Sequence, residues 1–212
     1  MHYIFAIILG FLLVGAFFGL MILVQRKLVR EEGVLSYLCP LIASFVPTVM
    51  ILWWKNDFSL HLENMRYGRY WMIIFVGTSV VCAFILAFRK KENEGCSGRT
   101  LILKCVEAGT MEIPQRLMAQ SFIFMLLSVW GRNTIYCIPI NALVWCLGIC
   151  VQGVLIRQER RELIVDLIAS ALFSMAAGYV FYQTGCIIYC VIAHMLERFV
   201  TMPKAVKLRF VK

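Results

Sequence analysis

The sequence predicts an all-α fold: a polytopic bundle of about seven transmembrane helices, forming a single membrane domain over residues 1–212. Three observations carry that reading. Hydrophobic residues make up 61% of the chain and charged residues only 16%, with a mean hydropathy of +0.81; an ordinary globular protein carries about 25% charged residues. Apolar runs near the length that crosses a bilayer, about 20 residues, recur along nearly the whole chain. The basic residues are distributed unevenly between the loops that separate those runs.

The runs lie at roughly 4–24, 34–54, 71–88, 108–130, 138–156, 163–182 and 186–203, and nothing between them is long enough for a soluble domain. The first is read as a span rather than a cleaved signal peptide. Its leader Met1-His2-Tyr3 lacks a basic region, its apolar stretch is too long, and no small-residue cleavage site follows. Gly15 and Gly19 within it form a G-x-x-x-G motif, read here as a helix-packing feature. After the second run, Lys55–Tyr70 interleaves aromatic and polar residues between Trp53, Trp54 and Trp71, the pattern of an interfacial aromatic belt.

Charge sets the expected orientation. Loops on one side carry Arg26, Lys27, Arg30, Arg89, Lys90, Lys91, Arg99, Lys104, Arg157, Arg160, Arg161, Lys204, Lys207, Arg209 and Lys212, fifteen of the 21 basic residues. The opposite loops carry Lys55, Arg66, Arg69 and Arg132. By the positive-inside rule the N-terminus lies outside and the C-terminus in the cytoplasm of a multi-pass cell-membrane protein. The bilayer thus accounts for the net charge of +9. Nucleic-acid binding, which would need a basic face on a folded soluble surface, is not expected.

Nine cysteines fall mostly within the runs and include no C-x-x-C pair, so the spacing of a zinc site is missing. Cys146 with Cys150 and Cys190 with His194 are i,i+4 pairs, but buried cysteine behaves as a small hydrophobe, and packing is the reading preferred. No metal site and no cofactor are predicted.

The remaining two basic residues lie inside runs. Glu112 and Arg116 are spaced i,i+4 in the fourth, and His194 and Arg198 are spaced i,i+4 in the seventh. A charge at the centre of a membrane helix costs about 2.5–3.5 kcal/mol on insertion scales, so such residues pair inside a bundle or line a polar site. Glu112 is expected to answer both arginines, with Glu197 and Asp166 as further partners.

Glu112-Ile113-Pro114-Gln115-Arg116, then Trp145–Gly153, then Val191–Arg198 resemble in order and spacing the three motifs of the CPBP family. That family comprises CAAX-prenyl proteases and bacteriocin-processing or immunity proteins, also called Abi. Its pattern is E-E-x-x-x-R, F-x-x-x-H and H-x-x-x-N or D, and the resemblance covers a core at 100–200. It implies an intramembrane-peptidase lineage with Glu112, Arg116 and His194 as the retained catalytic-motif positions. Met111 stands where the first glutamate belongs, Ile149 where the first histidine belongs and Arg198 where the asparagine or aspartate belongs; Gln115 replaces a frequent phenylalanine.

In the family the paired glutamates and first histidine are the candidates for activating water, and the second histidine with its asparagine for binding the oxyanion. Methionine and isoleucine can do neither. Glu107, one turn before Met111, is a candidate substitute base, as is Glu112 acting alone. The function expected is therefore a catalytically impaired CPBP-type protein that binds a membrane peptide or protein partner, in bacteriocin immunity or processing or in membrane-complex assembly. The alternatives are an active intramembrane endopeptidase using Glu112 and His194, and a small-solute transporter. The transporter reading predicts internal repeats, and none is evident.

Overall fold

Each apolar run becomes a helix or a continuous helical stretch in the computed structural model, which describes residues 1–28, 37–55, 57, 60–89 and 97–202. Arg30, Phe58, Lys90, Lys91, Cys96 and the basic residues from Lys204 onward lie outside the described residues. The elements are α1 His2–Leu28, α2 Cys39–Lys55, α3 Gly68–Phe88, α4 Gly98–Glu112, a π-helical segment Ile113–Gln120, α5 Ser121–Val129, α6 Cys137–Leu155, α7 Arg160–Thr184 and α8 Ile188–Thr201. Four of them, α1, α3, α6 with its preceding turn, and α7, are individually long and apolar enough to cross a membrane; α2 is apolar but shorter. The protein is a helical membrane bundle.

The fourth run differs from its expected bounds. Helix begins at Gly98 rather than near 108, because Ser97 caps it with Oγ accepting from the Thr100 N–H at 3.2 Å. Lys104 therefore sits inside α4 and not in a loop. From Ile113 the helix widens into π geometry. Pro114 has no N–H to return to the Thr110 carbonyl, which the Ile113 N–H takes instead. Further along, the Ser121 N–H reaches back five residues to the Arg116 carbonyl.

This irregular segment divides the interior. Leu117 belongs to a core built with Ile74, Val81, Phe173, Val180 and Tyr189 from α3, α7 and α8. Met118 and Ala119 belong to a second core, with Val14, Phe17, Ile51, Val144 and Trp145 from α1, α2 and α6. A π segment lets consecutive residues serve two cores while still placing polar side chains between them.

Small residues set the close approaches. A Cβ on Gly77 would stand 2.9 Å from the Ala176 Cβ, and one on Gly109 2.9 Å from Met195. Gly15 and Gly19 behave otherwise: a Cβ on either would meet nothing within 4 Å among the described residues, so the G-x-x-x-G does not mediate packing among them.

The loop after α2 does more than present an aromatic belt. Trp53 and Trp54 are exposed, as a belt requires. The 3₁₀ turn Leu62–Arg66, by contrast, is fastened over the α7–α8 connection. Asn64 Nδ2 donates to the Thr184 carbonyl at 2.5 Å, and the Tyr189 hydroxyl donates to the Asn64 carbonyl at 2.7 Å. Trp71 donates to the Met65 carbonyl at 2.8 Å and packs against Tyr189, with ring centroids 4.5 Å apart.

Candidate functional site

The retained motif residues meet in one place. Arg116 Nε donates to Glu112 Oε2 at 3.0 Å, and His194 Nδ1 lies 2.7 Å from Glu112 Oε1. Glu112 and Arg116 side chains are fully buried, while the His194 side chain keeps 18% exposure. A carboxylate facing an arginine at this distance is ionised and can only accept, so His194 Nδ1 carries the proton that binds it. Nε2 is then the ring nitrogen left for other partners, 4.0 Å from Glu197 Oε2. Phe173 packs on the imidazole with centroids 4.8 Å apart.

Beyond Arg116 the row continues to Gln120. Arg116 Nη1 donates to Gln120 Oε1 at 3.1 Å, and Gln120 Nε2 donates to the Gly178 carbonyl at 2.8 Å. Gly178 gives this row room, since a Cβ there would stand 3.2 Å from both Arg116 Nη1 and Gln120 Oε1 and press them aside. Gln115 Nε2 reaches across to Ser174 Oγ at 2.5 Å, a second polar tie to α7. The sequence reading does not single out Gln120 or Ser174. Gln120 was nonetheless marked by its place four residues after Arg116, a third polar residue in the same row of an apolar helix.

A cavity of about 500 Å³ lies beside this row, and it separates the motif positions into two groups. Met111, Gln115, Ile149, His194, Glu197 and Arg198 line it. Glu112 and Arg116 do not: they stand behind the wall. Of Glu112, Arg116, Ile149 and His194, only the last two face the cavity. The burial of the first two explains it, because Arg116 and His194 occupy both oxygens of Glu112.

The predicted partners of Arg198 are also redistributed. Glu112 is taken by Arg116 and His194, while Asp166 binds the Arg89 guanidinium and accepts from Gln158 Nε2 at 2.7 Å. Glu197 Oε1 accepts from Thr201 at 3.0 Å. Glu107, the candidate substitute base, lines the cavity but pairs with Lys104 at 2.8 Å. Cys190 donates to the Ala177 carbonyl at 3.3 Å instead of facing His194 as a ligand pair, and among the described residues no group of three His, Cys, Asp or Glu is placed to hold a metal ion.

Residues 102–200 match the family model described as type II CAAX prenyl endopeptidase Rce1-like. The matched segment contains every motif position named above. No curated protein and no solved structure matches the chain.

Proposed function

Starting from the membership of this chain in the CPBP family through residues 102–200, we propose that it is a CAAX-protease-like membrane protein that binds a membrane-embedded partner without hydrolysing it. One observation carries this reading: the only retained motif carboxylate, Glu112, is sealed behind the cavity wall by Arg116 and His194, while Met111 and Ile149 face the cavity. A water molecule in the cavity meets neither a carboxylate nor an imidazole at the two positions where the family pattern supplies them. Losing one general base typically costs about 10²–10⁴ in rate. The Glu112 carboxylate acts as a buried counter-charge that holds Arg116 and orients His194. Roles in bacteriocin immunity or in assembly of a membrane complex suit such a protein, as does an orientation with the C-terminus in the cytoplasm.

A second reading has its own support. Because Glu112 fixes Nδ1, His194 is held in the tautomer whose Nε2 can accept a proton, the relation of an acid to a catalytic histidine. Hydrolysis would then run through His194 rather than Glu112. Incubating the purified full-length protein with a panel of membrane peptides, followed by mass spectrometry, separates the two. No specific cleavage is expected. Cleavage by the unmodified protein, lost in a folded Glu112→Gln or His194→Ala variant, would overturn the non-hydrolytic reading.

A further inference from the structure

Among the described residues the charged side chains around the cavity have polar partners, with a single exception. Arg89 is answered by Asp166 and Glu162, Lys104 by Glu107, and Glu197 by Thr201 and His194. Arg198 lines the same cavity, half-buried, and among the described residues no side chain answers its guanidinium. It stands one turn from His194 on the same face of α8, nearer the end of the bundle where α3, α6 and α8 finish and α7 begins. Away from that mouth Phe18, Met21, Trp145, Ile149 and Phe173 form an apolar strip of the wall, beside the polar Gln115, Ser170 and His194.

From this arrangement we infer that the cavity binds a single-chain lipid with an anionic head, the head on Arg198 and the chain along the apolar strip. The inference deepens the non-hydrolytic reading by naming a ligand class for the same cavity. A volume of about 500 Å³ suits one small ligand, since such sites span roughly 300–1,000 Å³. Arginine recognises a carboxylate or phosphate through a planar pair of N–H donors. The apolar strip favours an acyl chain over a peptide along its length. Every peptide unit brings an N–H and a C=O that must be paired when buried, and Phe18, Met21, Trp145, Ile149 and Phe173 offer no side-chain partner except the Trp145 N–H; an acyl chain brings no such groups.

The test is binding of radiolabelled oleate to the full-length, detergent-purified protein, read by scintillation proximity. On the unmodified protein, unlabelled oleate should compete at least about tenfold better than oleyl alcohol, the worth of one charge-assisted contact. A hydrophobic peptide with a free C-terminal carboxylate should not compete. Arg198→Gln should weaken oleate binding about tenfold or more, Arg198→Lys should retain most of it, and Ile149→Trp, which fills the wall, should weaken oleate and oleyl alcohol alike. Equal competition by the alcohol, better competition by the peptide, or unchanged oleate affinity in Arg198→Gln would each overturn the proposal. Should Arg198→Gln fail to fold, the competitor ratio on the unmodified protein still decides it. The outcome is independent of peptide cleavage, so the two readings can fail separately.

Discussion

Glu112 is fully buried and hydrogen-bonded to both Arg116 and His194, so its removal leaves the Arg116 guanidinium without its counter-charge. Glu112→Ala should destabilise the protein by about 3–5 kcal/mol, because Arg116 would remain charged and uncompensated in the interior. Replacing both residues by methionine should cost much less than Glu112→Ala alone, since an apolar pair of similar volume removes both charges together. Thermal unfolding of the three proteins in one detergent checks this; a double variant as unstable as the single one would show that packing, not charge, dominates. Gly178→Ala probes the same row from the opposite helix. Its added methyl would press on Arg116 Nη1 and Gln120 Oε1 at 3.2 Å, and overpacking of this kind costs about 1–3 kcal/mol. Since both Gly178 contacts lie behind the wall, oleate affinity in the folded Gly178→Ala protein should be unchanged. An affinity loss as large as that of Arg198→Gln would mean that the row and the cavity act as one unit.

At the scale of elements, the stretch from Gly98 to Val129 shows what was legible and what was not. Its apolar half was visible as a run, and Glu112 with Arg116 was visible as an i,i+4 pair. The first turns of α4 were not, because they are polar enough to read as loop, although Ser97 followed by Thr100 supplied a capping signal. The π segment could not be read from spacing, since Pro114 announces a break but not whether the helix kinks, ends or widens. Which motif residues face the cavity depends on that local winding and on how α8 and α7 press against it. Order and spacing therefore placed Glu112, Arg116 and His194 together without showing that the first two lie behind the wall. The second role of the turn Leu62–Arg66 was not legible for a related reason: its aromatic neighbours suggest a membrane interface, while its ties to Thr184 and Tyr189 join positions distant in sequence. Tyr189→Phe removes the hydroxyl that holds the Asn64 carbonyl at 2.7 Å, a loss worth about 0.5–1.5 kcal/mol. The expected result is a small drop in melting temperature together with faster proteolysis between Asp57 and Tyr67. Unaltered proteolysis would show that the Asn64 and Trp71 hydrogen bonds secure the turn without the Tyr189 hydroxyl.

Over the whole molecule, the helix ends sort into two groups that agree with the charge asymmetry. The end of α3 meets the start of α7, where Arg89 binds Asp166 and the Arg161 guanidinium donates to the Phe88 carbonyl at 3.3 Å. At the other end, the start of α1 meets the chain after α5, where Arg132 Nη2 lies 3.1 Å from His2 Nδ1. The first group carries Arg89, Arg157, Arg160 and Arg161 and the mouth of the cavity, with Arg198 near it. Positive charge close to the helix ends fixes orientation during insertion, so this end is expected in the cytoplasm. Reporter fusions ending at Lys104 and at Arg132 should then report opposite sides, Lys104 cytoplasmic and Arg132 external. The choice of sites is strict because α4, the π segment and α5 form one continuous helical stretch between them. Both reporters on one side would mean that this stretch enters and leaves the membrane on the same face, and the row from Glu112 to Gln120 would lie outside the bilayer core. Opposite sides with the reverse sign would keep the fold but turn the cavity mouth outward, so that Arg198 would meet ligands from the external leaflet.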